Sequence, residues 1–216
     1  MSLCVSANSG SGERRDPIPE GSYAAVCVGM VDIGEQITKF EGKEMKKHQI
    51  VIVWELPEET IEVDGQMVSR TISKTYTASL HERSALRKDL KSWRGREFTE
   101  DELEGFNLRN ILSAPCLLQI IHRVTPDGSY ANISSIMSLP KGMPKPTPTI
   151  TPYAFEIETS SIEDFEALPK WLKRKVEDSQ TWRERCGDYK DPANQTEANR
   201  SAWQDLADAD DGELPF

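Results

Sequence analysis

The sequence has 216 residues, a formal charge of −10 and 37% apolar residues. Globular proteins usually hold about 45–50% apolar residues, so part of the chain is expected to lack a core of its own. No segment approaches the ~18 apolar residues of a membrane helix, and the N-terminus lacks the pattern of a secretory signal. The four cysteines form no C-x-x-C pair, which argues against a disulfide framework or a zinc cluster and favours a reducing cytosol.

The charge is distributed unevenly along the sequence. Residues 1–153 carry 18 Lys and Arg against 20 Asp and Glu, whereas residues 154–216 carry 8 against 16. A pI near 4.9 normally counts against a nucleic-acid partner. That argument fails when the excess of acidic over basic residues is confined to one end of the chain, because the nearly neutral remainder can still bind a polyanion.

The N-terminal half predicts a series of strands. Residues 1–18 are rich in Ser and Gly and predict a disordered arm. A β-capable run over 21–40 is followed by a turn at 41–43 and by an alternating strand at 47–56. Asp64-Gly65 lies between two further strand-like runs and is a strong signal for a two-residue hairpin.

One strong helix is predicted between the third and fourth strands. A capping-box spacing over 79–82 begins this helix, its apolar residues recur on one stripe, and Gly95 ends it. A second capping box at 99–102 predicts a short helical turn. Two further strands are predicted over 115–124 and 129–139.

The C-terminal part predicts little core. Residues 141–160 begin with a proline-rich run and predict an extended linker. A helical segment is predicted over 161–186, and it begins at a capping box formed by Ser161 and Asp164. Residues 187–216 are polar and acidic and predict a disordered tail.

This order of elements predicts a mainly β fold. A five-stranded Greek-key barrel is the OB-fold, and we predict one over residues 19–140, with its helix between strands 3 and 4. An SH3-like barrel lacks that helix, and a ferredoxin-like fold has two helices in other places. We therefore expect an OB-fold domain followed by a C-terminal helix and a disordered acidic tail.

No catalytic or cofactor-binding pattern is present. His48, His81 and His122 lie in separate predicted elements and lack the spacing of metal ligands. There is no glycine-rich phosphate loop and no nucleophile motif. We therefore expect a binding protein that is not an enzyme and needs neither a metal nor a cofactor.

The candidate DNA-binding residues combine cations with flat rings. An OB barrel binds ligands on strands 2–3 and on the loops joining strands 1–2 and 4–5. Single-stranded nucleic acid needs cations for its phosphates and aromatic rings for its bases. The predicted set is Lys39, Phe40, Lys43, Lys46, Lys47, Trp54, Arg70, Lys74, Tyr76, His122, Arg123 and Tyr130. Trp54 lies on an apolar strand face, a position that also fits the core.

The last nine residues predict a separate binding element. An acidic run ends in an apolar tip, and such a segment can fill a small apolar pocket with a basic rim on a partner protein. The predicted partner-binding residues are Asp208, Asp210, Asp211, Glu213, Leu214, Pro215 and Phe216.

The sequence Asp-Asp-Gly-Glu-Leu-Pro-Phe resembles the C-terminal tip of bacterial single-stranded DNA-binding proteins. The stretches 93–120, 130–143 and 165–182 resemble phage and prophage proteins found among replication and recombination genes. The resemblance implies an OB-fold protein of the bacterial host cytoplasm that coats single-stranded DNA. It also implies that the tip docks replication, recombination and repair proteins such as a polymerase, helicase, nuclease or recombinase.

Two alternatives remain open at this stage. The barrel could be a protein-interaction adaptor of a replication complex that does not bind DNA directly, because OB barrels host many ligands. An enzyme such as a nuclease would need a cluster of carboxylates for a metal, and the sequence shows none.

Overall fold

The computed structural model describes residues 16–40, 43–63, 65–126 and 128–186. For three of these residues, Lys39, Phe40 and Lys43, it describes the backbone and not the side chain. The fold is mainly β, as predicted. Its strands are β1 (Gly21–Phe40), β2 (Lys43–Val63), β3 (Gln66–Thr77), β4 (Pro115–Thr125), β5 (Gly128–Met137) and β6 (Tyr153–Phe155). Its helices are α1 (Ala85–Arg94), α2 (Glu100–Glu104), α3 (Ile162–Glu166), α4 (Lys170–Glu177) and α5 (Gln180–Cys186), with a 3-10 turn at Leu108–Ile111.

The first five strands form one curled antiparallel sheet in the order β3-β2-β1-β4-β5. The two edge strands, β3 and β5, come close to each other without joining into a ladder. Helix α1 packs against both edge strands. This half-open barrel with a helix between its third and fourth strands is OB-like, which confirms the predicted fold class.

In the described part of the long strands the pairing shifts register at three points, the first between Cys27 and Gly29 of β1. Pro57 lies in β2 where the pairing with β3 shifts register between Leu56 and Thr60, so the proline forms a bulge and does not end the strand. In β1 the register shifts between Asp32 and Glu35, and Gly34 adopts a positive φ of 65° there. A Cβ at Gly34 would lie 2.7 Å from the Ile157 side chain, so both the backbone and the packing require glycine.

The barrel interior holds the first of two cores. Its centre includes Trp54, and Leu86, Leu90 and Trp93 of α1 close one side. The helix begins later than predicted, because Ser84 and not Ser79 is its N-cap and accepts a hydrogen bond from the Arg87 N–H. The other predicted caps are present: Gly95 ends α1 in the left-handed conformation, and capping boxes begin α2 and α3.

The second core lies on the outer face of β1 and β2. That face is apolar and would be exposed on an isolated barrel; it consists of Val26, Val28, Val31, Ile33, Val51 and Val53. The chain after β5 covers it with Phe155, Phe165 and Trp182, which are at most 1% exposed. The C-terminal segment is therefore an integral part of the fold, because it buries this face.

The predicted C-terminal helix is divided into three short helices. Pro169 is the N-cap of α4 and has no backbone N–H, so it ends the run that began at Ser161. The fully buried Ser179 precedes α5 and accepts a hydrogen bond from the Trp182 N–H at 3.0 Å. These breaks turn Phe165, Val176 and Trp182 toward the same core.

The proline-rich segment is held against the barrel. Residues 141–152 form no helix or strand, but β6 follows them and pairs in parallel with β1. The fully buried carboxylate of Glu55 in β2 accepts hydrogen bonds from the backbone N–H groups of Thr149 and Ile150. In the ranges described above, no helix has the length and apolar character needed to span a membrane.

Candidate nucleic-acid interface

The β3 candidates face the barrel interior, which corrects their predicted placement. Arg70, Lys74 and Tyr76 alternate with outward residues and share their face with the buried Ile72. Tyr76 is 3% exposed, and its hydroxyl donates to Asp89 Oδ2 at 2.8 Å. Burial, reinforced by the Asp89 charge, raises the pKa of Tyr76. The ring is therefore not placed to stack on a base.

Lys74 is engaged by the same carboxylate. Its Nζ lies 2.7 Å from Asp89 Oδ2 and 5.3 Å from the centre of the Tyr76 ring. Asp89 lies in α1, so this half-buried ion pair ties β3 to the helix. Lys74 is therefore part of an ion pair that holds the helix to the sheet.

The predicted role of Trp54 in binding DNA is also corrected. Its side chain is fully buried, and its ring centre lies 5.7 Å from that of Trp93 in α1. The apolar alternation of β2 already pointed to this core position. A base cannot reach this ring without unfolding the barrel.

Two further candidates hold the residues that precede β1. His122 Nε2 lies 2.8 Å from the Ile18 carbonyl oxygen, and the Arg70 guanidinium donates to the Asp16 carbonyl. Ile18 is only 5% exposed and belongs to the barrel core. Residues 16–18 therefore pack on the barrel, whereas the sequence predicts them as part of a disordered arm.

The β4–β5 hairpin presents two of the candidates at the surface. Arg123 and Tyr130 are directly opposite each other in the antiparallel register, and both are exposed. Tyr130 is 46% exposed, and Ile121, two residues before Arg123 on the same outward face, is 43% exposed. A cation, a flat ring and an apolar side chain thus lie together on one open strand face.

The β1–β2 hairpin carries the lysine candidates. Lys46 is exposed and pairs with Ile37, and the half-buried Lys47 pairs with Gln36. Backbone pairing continues to Phe40 and Lys43 at the end of the hairpin. The predicted contacts of the Lys39, Phe40 and Lys43 side chains lie outside what the structure describes.

The outer face of strands 2 and 3, opposite to the face that carries the β3 candidates, is covered by the C-terminal segment at Val51 and Val53 of β2 and is open on β3. The open part is a row of exposed hydroxyl side chains: Thr71, Ser73, Thr75 and Thr77. The alternation of Ser and Thr with Ile72 and Tyr76 in the sequence is the signal that could have identified this outward face.

A cationic groove that the sequence analysis missed lies beside α1. Arg94, at the end of the helix, packs against a pair of rings that contact each other edge to face, with its guanidinium carbon 4.5 Å from the Phe98 centroid and 4.8 Å from that of Phe106. Glu102 binds the guanidinium groups of both Arg94 and Arg96. The groove holds about 600 Å³ and continues to the lysines of the segment after β5, Lys141 and Lys145. The concentration of Lys and Arg over 83–96 was the available signal.

The predicted partner-binding residues at 208–216 lie outside the described residues, as do Cys4 and the rest of the predicted tail.

Within the described ranges, no group of three or more His, Cys, Asp and Glu side chains is arranged to hold a metal ion. Burial raises the pKa of the Cys27 thiol to about 12.

No family model matches this sequence, and no curated protein matches it.

Proposed function

We propose that this chain is a non-enzymatic single-stranded DNA-binding protein that acts in phage DNA replication and recombination. In this proposal the OB-like barrel holds the strand, and the acidic C-terminal end recruits replication, recombination or repair proteins in the host cytoplasm. The observation that supports it best is the pair of Arg123 and Tyr130, exposed opposite each other on the β4–β5 hairpin.

The chemistry of this hairpin suits an unpaired strand. A tyrosine ring can stack on any base, because every base has a π-face, and such stacking contributes about 1–3 kcal/mol per base. The Arg123 guanidinium can contact the adjacent phosphate, and Ile121 offers apolar surface beside the ring. In a duplex the same bases are stacked on each other, so single strands are the preferred ligand.

The lysines of the β1–β2 hairpin would extend the contact to further phosphates. Lys46 is exposed, and Lys39, Lys43 and Lys47 lie nearby in the sequence of the two strands. Such contacts release counterions, so affinity falls as salt is added.

The C-terminal residues 208–216 take the recruiting role in this proposal. Their carboxylates would meet a basic rim on the partner, and Leu214 and Phe216 would fill its apolar pocket. Because the segment is polyanionic, it would also compete with DNA for the same cations. A chain lacking residues 208–216 should bind DNA at least as tightly and lose its protein partners.

A protein-interaction adaptor is the second candidate, and one observation favours it. Two of the aromatic residues predicted to stack on bases, Trp54 and Tyr76, are buried, which leaves fewer rings for nucleic acid. An adaptor would use the exposed hairpin residues to contact a protein instead.

Binding to a fluorescently labelled oligo-dT separates the two candidates. Fluorescence anisotropy is preferable to tryptophan quenching, because Trp54, Trp93 and Trp182 are buried. We expect tight binding to oligo-dT at low salt, weaker binding at higher salt, and weaker binding still to a duplex of the same length. Failure to bind oligo-dT at low salt would overturn the proposal and favour the adaptor.

A further inference from the structure

The groove beside α1 is lined by cations from two separate parts of the chain. Arg94 and Arg96 line it from the end of α1, and Lys141 and Lys145 line it from the segment that follows β5. Glu102 is the one carboxylate that lines it, and it is already bonded to both arginines. In the described structure neither lysine forms an ion pair, and both are exposed. The groove therefore has cationic charge that no described acid neutralises.

The floor of the groove is apolar. Trp93, Phe106 and Ile111 line it from below, and Leu139 and Met143 line it from the side of the β5 segment. The Arg94 guanidinium packs against Phe98 and Phe106 and pairs with Glu102, which places one charge at the edge of this floor. A ligand that fits must combine repeated negative charge with flat or apolar groups.

The groove borders two neighbouring features of the surface. Arg96 also lines a second open groove of about 610 Å³, which carries Lys88 and Lys91 of α1 together with Glu97, the carboxylate that pairs with Lys91. Ser138 lines the first groove, lies beside Gly95 and directly follows Met137 of β5. Met137 is 40% exposed and lies on the strand that carries Tyr130. An extended ligand on the hairpin face would therefore enter the groove by following β5.

We infer that this groove is a second contact surface for single-stranded nucleic acid, with Lys141 and Lys145 binding backbone phosphates. The inference rests on the proposed function and extends it, because the strand would run from Tyr130 along β5 and then beside α1. Met137 lies seven positions after Tyr130 along the strand, a span of roughly 23 Å at ~3.3 Å per residue. That path fits within the ~4–16 nucleotides that one OB-fold can cover.

The test compares two variants with the same change in charge. One is Lys141→Gln with Lys145→Gln, and the control is Lys170→Gln with Arg174→Gln on α4, which packs against β1 through the second core. All four side chains are exposed, so both variants should keep the wild-type midpoint in urea. The measurement is the anisotropy of a labelled oligo-dT of about 16 nucleotides, and of one of about six, over a range of salt concentrations.

For the longer oligonucleotide, the groove variant should bind severalfold more weakly. The slope of log K against log salt should fall in magnitude by about 1.4, since each phosphate contact on a single strand contributes ~0.7. The control variant should keep the wild-type slope, and the shorter oligonucleotide should lose less affinity than the longer one.

Equal slopes for the groove variant and the control would overturn the inference while wild-type binding upholds the proposed function. An unchanged DNA slope together with groove-dependent binding of a poly-glutamate peptide would also overturn it, and would assign the groove to an acidic protein segment. Failure of the wild type to bind either oligonucleotide would refute the proposed function itself.

Discussion

The buried carboxylate of Glu55 and the backbone of Thr149 are joined by a hydrogen bond of 3.0 Å, although 94 residues separate them in sequence. The Thr149 hydroxyl also donates to this carboxylate, and the Ile150 N–H donates at 3.1 Å. Through these bonds the proline-rich segment is fixed to the outer face of β2. The barrel that precedes this segment and the helices that follow it therefore belong to one folded unit.

Replacing Glu55 tests this attachment. Glu55→Ala leaves two backbone N–H groups without their acceptor, so the free energy of unfolding should fall by about 2–3 kcal/mol. Urea denaturation should show a lower midpoint with an unchanged slope. The control is Glu58→Ala, an exposed position on the same strand, which should stay close to wild type. Equal midpoints for the two variants would show that the attachment does not stabilise the fold.

Trp171 and Trp182 provide a matched test of the second core. Trp182 is 1% exposed, with its ring centre 4.4 Å from that of Phe165, whereas Trp171 is 41% exposed. Trp182→Ala should lower the free energy of unfolding by about 3–5 kcal/mol, because it opens a cavity beneath α5. Trp171→Ala should change it by less than about 1 kcal/mol. Similar losses in both variants, measured by circular dichroism in urea, would contradict the described packing.

The ion pairs around Glu102 predict a dependence of stability on pH. Hydrogen bonds from Arg96, assisted by the Thr99 N–H and by Arg94, lower the pKa of Glu102 from 4.5 to about 2. A carboxyl with a lowered pKa stabilises the fold above its unfolded pKa, and this contribution disappears as the pH falls through its folded pKa. The stability advantage of wild type over Glu102→Gln should therefore be complete above pH 4.5 and shrink toward pH 2.

Thermal denaturation across that range checks the prediction, with Glu104→Gln on the same helix as the control. Glu104 is exposed, so its variant should follow the wild-type curve. A difference between wild type and Glu102→Gln that stays constant down to pH 2 would mean that the Glu102 carboxylate does not titrate with a lowered pKa.

The barrel could be predicted from sequence because its signals are local. Asp64-Gly65 marks the β2–β3 hairpin, Gly95 ends α1, and the alternation of β2 places Trp54 toward the core. The cover on the outer face could not be predicted in the same way. Phe165, Val176 and Trp182 are too few to form a core by themselves, and they become one only against the valines of β1 and β2, more than 100 residues earlier.

The candidate site was harder to predict than the fold. Strand 3 offers cations on one face and hydroxyls on the other, and only the parity of Ile72 shows which face is buried. Arg70 and His122 look like free polar side chains in sequence, but they contact the backbone carbonyls of Asp16 and Ile18, which carry no sequence signal. The sequence places Arg123 and Tyr130 on the predicted hairpin of strands 4 and 5, and the register that sets them opposite each other comes from the structure.

The most direct test of the central claim is the affinity of Tyr130 variants for a labelled oligo-dT. Tyr130→Ala removes the exposed ring, whereas Tyr130→Phe keeps a ring that can stack; Met67→Ala serves as a surface control, because Met67 is 65% exposed on a different hairpin. At ~1–3 kcal/mol per stacked base, Tyr130→Ala should weaken binding by about 5- to 150-fold. Tyr130→Phe and Met67→Ala should bind like wild type. A folded Tyr130→Ala variant that binds oligo-dT as tightly as wild type would contradict the account.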